Sequence, residues 1–323
     1  MPSHSSATET IATVADTTPS FEQLRDALLN LSEPTGKRTR AIFYLRSRGG
    51  LEDLQVLLFA LLNRKDSELM RHELAYVIGQ FQMEEACETL QQVLADEADD
   101  GMVRHEAAEA LGAIGAAQSL PVLEKYSADP APEVSDTCKL AVTLVKYKLA
   151  KAKGEIVEGE VDRNPYLSED PAPAAEKDVS TAELRKVLLD PNGDMFARYR
   201  AMFSLRNRNT DEAALALAEA FNDPNALFKH EVAYVMGQME NPVLVPALKK
   251  VLLDETEHRM VRHEAAEALG AIGSTECEEI LKQYLKDDVQ VVRESCEVAL
   301  DIWTTGRPPS KRLDCSLETH IFR

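Results

Sequence analysis

Residues 102–115 read MVRHEAAEALGAIG, and the same letters recur without a change at 260–273, 158 residues further along the chain. A second block, RHELAYVIGQ at 71–80, returns at the same offset as KHEVAYVMGQ at 229–238. Nearer the start, RTRAIFYLRSR at 38–48 returns as RYRAMFSLRNR after 160 residues. The chain is therefore an internal duplication, and its second copy is two residues shorter near the first turn between repeats.

A shorter period lies inside each half. His-Glu dipeptides begin at positions 72, 105, 230 and 263, so the two dipeptides of each half are 33 residues apart. A period of this length is typical of two-helix units that stack into a solenoid. Aromatic residues make up only 6% of the chain, and the abundance of Ala and Leu favours close-packed helices over sheets. We therefore predict an all-α, HEAT-like helical-repeat solenoid of eight helix pairs, arranged in two duplicated halves of four.

The predicted helices divide the chain into five parts. Residues 1–18 form a tail that we predict to be disordered, 19–150 the first half, 151–179 an acidic, proline-containing linker, 180–305 the second half, and 306–323 another tail. We expect the linker to be extended and to let the two halves face one another.

Charge and composition limit the function classes. A net charge of −19 argues against nucleic acid as a partner and favours attraction of a cationic partner, or simple solubility. Five cysteines without a Cys-x-x-Cys pair indicate reduced thiols inside the cell. Since neither a signal peptide nor a membrane span is visible, we expect a cytoplasmic protein, with a nuclear location also open. We also expect a monomer.

One stripe of the repeated helix carries metal-ligand side chains. At 100° per residue, His105, Glu106 and Glu109 fall together, away from the apolar arc that faces neighbouring helices. We therefore expect this stripe to be exposed. Because packed helices are about 8–10 Å apart, side chains from successive repeats can converge on one ion. Two His and one carboxylate form the facial triad of Fe(II) oxygenases, and facing halves predict a dinuclear centre with one metal mainly from each half.

The candidate ligands all belong to the four His-Glu dipeptides: His72, Glu73, His105, Glu106, His230, Glu231, His263 and Glu264. The first and fourth repeats of each half carry other residues at these positions, so folding of a repeat does not require the dipeptide. Without Cys in the set, structural zinc is disfavoured, whereas iron, manganese and catalytic zinc remain open. The alternative interpretation is a solvated helix face without metal.

Other side chains near the dipeptides are ambiguous. Glu109 and Glu267 are candidates for holding a cationic substrate, or are ordinary exposed glutamates. Tyr76 and Tyr234 follow the first His of each half by one helical turn, so they either line a cleft or simply pack.

The four dipeptides at this spacing, together with the quoted blocks and the segment NPYLSEDPAPA at 164–174, resemble the deoxyhypusine hydroxylase family over about residues 20–305. The resemblance implies a non-haem di-iron monooxygenase that uses O2 and an external reductant. Its implied substrate is the deoxyhypusine side chain of eukaryotic translation initiation factor 5A, which it converts to hypusine. The implied ligands of two Fe2+ ions per chain are His72, His105 and Glu106 in one half and His230, His263 and Glu264 in the other. Glu73 and Glu231 match the remaining acids of the motif, which ligate metal or hold the substrate amine.

Rival functions remain at this stage. A metal-free HEAT scaffold that binds a basic protein fits the charge, and a zinc or manganese hydrolase on the same repeats fits the ligands. A HEAT-type lyase that attaches a chromophore gives no reason for the paired His-Glu positions.

Overall fold

The computed structural model describes residues 19–157 and 159–305, and both predicted tails lie outside these ranges. Within them the chain forms sixteen α-helices and no strand, which confirms the predicted all-α class. The helices of the first half are α1 (Phe21–Leu29), α2 (Thr35–Arg48), α3 (Leu51–Leu61), α4 (Glu68–Gln80), α5 (Cys87–Ala95), α6 (Gly101–Ile114), α7 (Leu120–Tyr126) and α8 (Pro132–Ala152). Those of the second half are α9 (Thr181–Leu188), α10 (Met195–Arg208), α11 (Asp211–Glu219), α12 (Ala226–Met239), α13 (Val245–Leu253), α14 (Arg259–Ile272), α15 (Thr275–Tyr284) and α16 (Gln290–Thr305).

Successive helices pair, and the even-numbered helices form a common inner layer. In each half an even-numbered helix packs against the next one, from α2 to α8 and from α10 to α16. The two rows meet at both ends, because α16 packs against α2 and α8 packs against α10 and α12. The inner helices therefore enclose the space between the halves.

Each half buries its own apolar core, and polar contacts join the halves. Leu140 of α8 is one of the few first-half side chains that pack into the core of the second half. Arg259, at the start of α14, forms ion pairs with Glu68 and Asp100 of the first half. At the α2–α16 contact, Arg40 forms an ion pair with Asp301.

A series of buried arginines, which we did not predict, ties each repeat to the next. Each arginine Nε donates to a carbonyl ten residues earlier, on the preceding helix. Its guanidinium then pairs with an aspartate of the following repeat. The pairs are Arg38–Asp66, Arg71–Asp99, Arg104–Asp129, Arg198–Asp223 and Arg262–Asp287, with Lys229–Glu257 at the corresponding place in α12. Arg71, Arg104 and Arg262 each directly precede a histidine of a His-Glu dipeptide. Their ion pairs therefore hold in place the helices α4, α6 and α14, which carry these dipeptides.

Small residues let the inner helices approach closely. A Cβ at Gly270 would lie 2.5 Å from the Cβ of Ala299, and one at Gly79 would lie 2.7 Å from the Cα of Ala110. Both distances are far below ordinary van der Waals contact. These glycines therefore permit close contacts between neighbouring inner helices.

The segment between the halves packs against the second half. Ala172 is fully buried in the core of that half, and Ala174 is nearly so. The backbone N–H of Ala175 donates to Ser204 Oγ of α10 at 2.7 Å. Asp170 pairs with Arg206, also of α10. No helix in the described part of the chain is long and apolar enough to cross a membrane.

Candidate metal centre

The four His-Glu dipeptides lie on α4, α6, α12 and α14, the four inner helices nearest the centre of the molecule. All eight of their side chains are buried, and His105 and His263 are 0% exposed. The prediction that the stripe of His105, Glu106 and Glu109 is exposed was wrong. The stripe does point away from the core of its own half, but the equivalent stripe of the other half covers it. Exposure was misjudged because one half was considered without the other.

The four imidazole rings form one cluster across the two halves. The ring centroid of His72 lies 5.4 Å from that of His105, 5.7 Å from that of His230 and 5.2 Å from that of His263. The centroid of His230 lies 5.6 Å from that of His105 and 5.2 Å from that of His263. Residues 33 and 158 positions apart in the sequence thus meet at one point.

Carboxylates approach the cluster in a pseudo-symmetric way. Glu106 Oε2 lies 3.2 Å from His72 Nε2, and Glu264 Oε2 lies 3.4 Å from His230 Nε2. In addition, Glu73 Oε1 lies 3.5 Å from His72 Nδ1.

Two sets of ligand atoms are grouped closely enough to hold a metal ion, with all atoms of a set within 4.8 Å of one another: His72, His105 and Glu106, and His72, His230 and His263. The first set comes from one half alone, whereas the second draws on both halves. His72 belongs to both sets, so neither half supplies the two sets independently.

The polar atoms of the cluster fit a bound cation. Among the described residues, both ring nitrogens of His105, Nε2 of His263 and Oε1 of Glu231 are buried and have no hydrogen-bond partner. The buried ring nitrogens of His72 and His230 have none beyond the carboxylates of the same cluster. A buried polar atom without a partner costs about 1–3 kcal/mol, and native structures contain few of them. Metal coordination uses the lone pairs that are left unpaired here. The donor set therefore fits a metal.

Protonation of the histidines follows from burial and from the neighbouring charges. Burial by itself lowers the pKa of His72, but the Glu106 and Glu73 carboxylates outweigh it and hold that pKa well above its usual range. Burial, together with neighbouring imidazoles, holds the pKa values of His105 and His263 well below theirs. The last two rings are therefore neutral near pH 7, the form in which an imidazole binds metal.

Acidic groups dominate the rest of the site. Burial and nearby carboxylates raise the pKa values of Glu109 and Glu231 well above the usual range. Glu267 also faces the site and accepts a hydrogen bond from Ser295 Oγ at 3.1 Å. An excess of buried carboxylates favours a positively charged guest.

A cavity of about 150 Å³ adjoins the cluster. His72, His230 and all four acids considered for substrate, Glu73, Glu231, Glu109 and Glu267, line it. Tyr76 and Tyr234 line it too, and their hydroxyls are hydrogen-bonded to each other at 2.8 Å across the two halves. Burial raises the pKa of Tyr76 to about 12, so this hydroxyl stays protonated near pH 7. The tyrosines are thus cavity-lining residues, which decides between the two sequence interpretations.

Sequence reasoning missed several residues that line the cavity, and Arg46, Tyr166 and Ser168 are three of them. Arg46 comes from α2, and Tyr166 and Ser168 come from the segment between the halves. None of them lies in a His-Glu repeat. For Arg46 the only available signal was its duplication as Arg206 in the matching blocks.

The helical pairs and the buried site define the class of the protein: a HEAT-repeat protein with a histidine and carboxylate cluster between its two halves. The family model for HEAT repeats matches residues 54–141 and 214–301, and the model for the PBS lyase HEAT-like repeat matches residues 197–223.

Relatives that match over most of their length identify the family within this class. Deoxyhypusine hydroxylase of Drosophila melanogaster is 46% identical over 87% of this chain and 91% of its own length. The enzyme of Candida albicans is 48% identical over 88% of this chain and 93% of its own. The solved structure of human deoxyhypusine hydroxylase in complex with glycerol matches with a TM-score of 0.81 at 46% identity, covering 87% of this chain and 95% of that one. The chain belongs to the deoxyhypusine hydroxylase family. Its activity is the hydroxylation of deoxyhypusine, an oxidoreductase reaction that depends on a metal cofactor.

Proposed function

We propose that hydroxylation takes place at a non-haem di-iron centre held between the two halves, residues 19–150 and 180–305, which the segment 151–179 connects. The observation that carries this proposal is the buried cluster of four histidines and their glutamates beside the cavity. In this cluster both ring nitrogens of His105 and Nε2 of His263 have no hydrogen-bond partner among the described residues. Mixed imidazole and carboxylate ligands suit iron. The ligands of two Fe2+ ions are, in this proposal, His72, His105, Glu106, His230, His263 and Glu264.

Iron bound there supplies the activation of O2, which is needed because no side chain can insert oxygen into a C–H bond. The protein contributes ligand orientation and the exclusion of water. Arg104 and Arg262 anchor the helices next to His105 and His263, and the opposite half shields both rings completely. Electrons come from an external reductant in this proposal.

The acids of the cavity hold the amines of the substrate side chain. Glu73 and Glu231 occupy equivalent positions in the two halves, and each lies next to a proposed ligand in the sequence. Glu109 and Glu267 extend the same acidic lining. A protonated amine placed among these carboxylates supplies a positive charge, and the raised pKa values of Glu109 and Glu231 favour such a guest. Two contacts, one from each half, define which methylene of the chain faces the metals.

The protein substrate in this proposal is eukaryotic translation initiation factor 5A carrying deoxyhypusine, and the location is the cytoplasm. We further propose that the enzyme acts as a monomer, since one chain contributes both sets of candidate ligands. The net charge of −19 favours encounter with a basic protein surface.

The metal-free scaffold and the zinc or manganese hydrolase make different predictions about bound metal. A scaffold gives no reason for buried ring nitrogens without partners. A hydrolase predicts zinc or manganese and an activity that does not require O2.

The deciding experiment is measurement of iron, zinc and manganese per chain in gently purified protein. We expect about two irons per chain and their loss in the double variant His105→Ala/His263→Ala. The matched control is His258→Asp. His258 caps α14 by accepting from the backbone N–H of Met260, as Asp100 does at the equivalent end of α6.

The control variant should keep both irons and the thermal stability of the wild type. Zinc or manganese in a fixed ratio would keep the metal site but refute iron as its metal. Absence of any bound metal after anaerobic Fe(II) reconstitution would refute a metal centre altogether.

A further inference from the structure

The duplication predicts that equivalent residues of the two halves line the central cavity as pairs, but several lining residues have a duplicate that does not line it. Central residues line the cavity as pairs, such as Tyr76 with Tyr234 and Glu109 with Glu267. Other lining residues lack their duplicates. Eight residues line the cavity without their duplicates: Phe43, Arg46, Gly237, Gln238, Glu240, Ala268, Ala271 and Ile302. The duplicates that do not line it are, in the same order, Phe203, Arg206, Gly79, Gln80, Gln82, Ala110, Ala113 and Leu144. We call the first set the open flank and the second set the closed flank.

Side-chain contacts fill the closed flank. Arg206 is 0% exposed and donates to both carboxylate oxygens of Asp170, at 2.8 and 2.6 Å. The carbonyl oxygen of Ala113 accepts from Gln82 Nε2 at 2.6 Å and from Lys148 Nζ at 2.5 Å.

The segment that closes this flank is held by both halves at once. The Gln80 side chain bonds the backbone of Glu169 twice, accepting from its N–H at 3.0 Å and donating to its carbonyl at 3.2 Å. The duplicate glutamine, Gln238, donates to Ser168 Oγ at 3.2 Å and to the Tyr234 hydroxyl at 3.0 Å. Consecutive residues of one segment are thus bound by equivalent glutamines of the two halves.

The open flank has the equivalent arginine, Arg46, without the aspartate partner that Arg206 has at the closed flank. Arg46 is half-buried and donates to Gln80 Oε1 at 3.4 Å, and it forms no ion pair with any residue in the described ranges. Phe43 and Ile302 provide apolar walls beside it, and the exposed Glu240 lies where the cavity reaches solvent. The equivalent arginine, Arg206, shows which ligand such a position takes: oxygen acceptors of a crossing peptide segment.

We propose that the open flank is the route by which the protein substrate inserts its deoxyhypusine side chain, and that Arg46 binds oxygen acceptors of the substrate's peptide segment. The inference rests on the proposed protein substrate. Asp170 and Ser168 at the closed flank are an internal counterpart of the substrate segment, because both present oxygen acceptors to the duplicated arginine. Arg46 is in this proposal a substrate-binding residue that determines how the segment lies over the cavity.

The chemistry of the open flank suits each part of this substrate. The side chains of Phe43, Ala271 and Ile302, which line the cavity there, match the methylene chain. Deeper in the cavity, Glu73 and Glu231 receive the amines. Since Arg46 is a cation, it repels the amines, so the acceptor-rich main chain is left to bind there.

The test is binding of the intact deoxyhypusine-bearing factor to iron-loaded enzyme, measured by fluorescence anisotropy. Loss of a charge-assisted hydrogen bond in Arg46→Gln should raise Kd by about tenfold, with iron content and thermal stability unchanged. The control, Gln82→Glu, changes a residue of the closed flank to the acid found at its duplicate position, Glu240, and should leave Kd within about twofold of wild type.

Hydrogen exchange provides a second, independent measurement on the wild-type complex. We expect added factor to protect residues 43–48 and 298–302 and to leave 142–148 unchanged. An Arg46→Gln protein with wild-type Kd, or protection confined to the closed flank, would overturn the assignment of the route while the substrate stands. Failure of the wild-type enzyme to bind the factor at all would instead overturn the proposed substrate, and this inference with it.

Discussion

Replacement of Arg104 by Met removes one member of the buried arginine series while keeping most of its apolar stem. The Arg104 guanidinium donates to the Leu94 carbonyl at 3.0 Å and to Asp129 Oδ2 at 2.5 Å, and the two charged side chains are 5% and 1% exposed. In the variant the Asp129 carboxylate keeps only the backbone N–H of Ala131 at 2.9 Å, and the carbonyl loses this partner. Removing one partner of a buried ion pair costs about 3–5 kcal/mol. We therefore expect the free energy of unfolding to fall by about 3–5 kcal/mol.

The assay is urea unfolding of metal-free protein, followed by far-ultraviolet circular dichroism. The matched control is Arg185→Met, which breaks an ion pair with Glu219 whose side chains are 49% and 45% exposed. This exposed pair should contribute less than about 1 kcal/mol. The double variant Arg104→Met/Asp129→Asn removes the buried charge and should recover part of the loss.

The reasoning is refuted if Arg104→Met is destabilised no more than Arg185→Met. That outcome would mean that water or a rearranged side chain satisfies Asp129 at no cost. A double variant as unstable as the single one would show that the lost hydrogen bonds, rather than the unpaired charge, account for the effect.

Three other predictions concern packing and titration. Gly270→Ala should lower the free energy of unfolding by about 1–3 kcal/mol in the same urea assay, because the added Cβ would lie 2.5 Å from the Cβ of Ala299. The second substitution Ala299→Gly should restore part of the lost stability. Burial raises the pKa values of Cys138 and Cys296 to about 12. At pH 8 neither thiol should therefore react with iodoacetamide until urea is added, and mass spectrometry would detect the label. Rapid labelling of the folded protein would contradict this prediction. Burial alone would raise the pKa of Asp99, but its partner Arg71 outweighs burial and the pKa is lowered. The ionised Asp99 therefore stabilises the fold above the ordinary aspartate pKa of about 4, and this stabilisation should be lost as the pH falls below that value. Urea titrations at stepped pH measure the loss, and a midpoint that does not depend on pH would count against it.

Much of the fold and the identity of the candidate ligands were predictable from the sequence. Identical blocks at a fixed offset require two similar halves, and the 33-residue period requires two-helix repeats, because both are properties of local packing. The positions of His72 and His105 on equivalent faces followed from helical periodicity alone.

The tertiary structure decided how the two halves use the same residues differently. Arg46 and Arg206 come from matching blocks, yet one faces the cavity and the other is fully buried against Asp170. No periodicity encodes this, because the difference depends on the path of the single segment between the halves and on which faces it covers. The burial of His105 and the hydrogen bond from Tyr76 to Tyr234 arise in the same way. Helical periodicity relates a side chain to its own helix, whereas these contacts depend on where the other half lies.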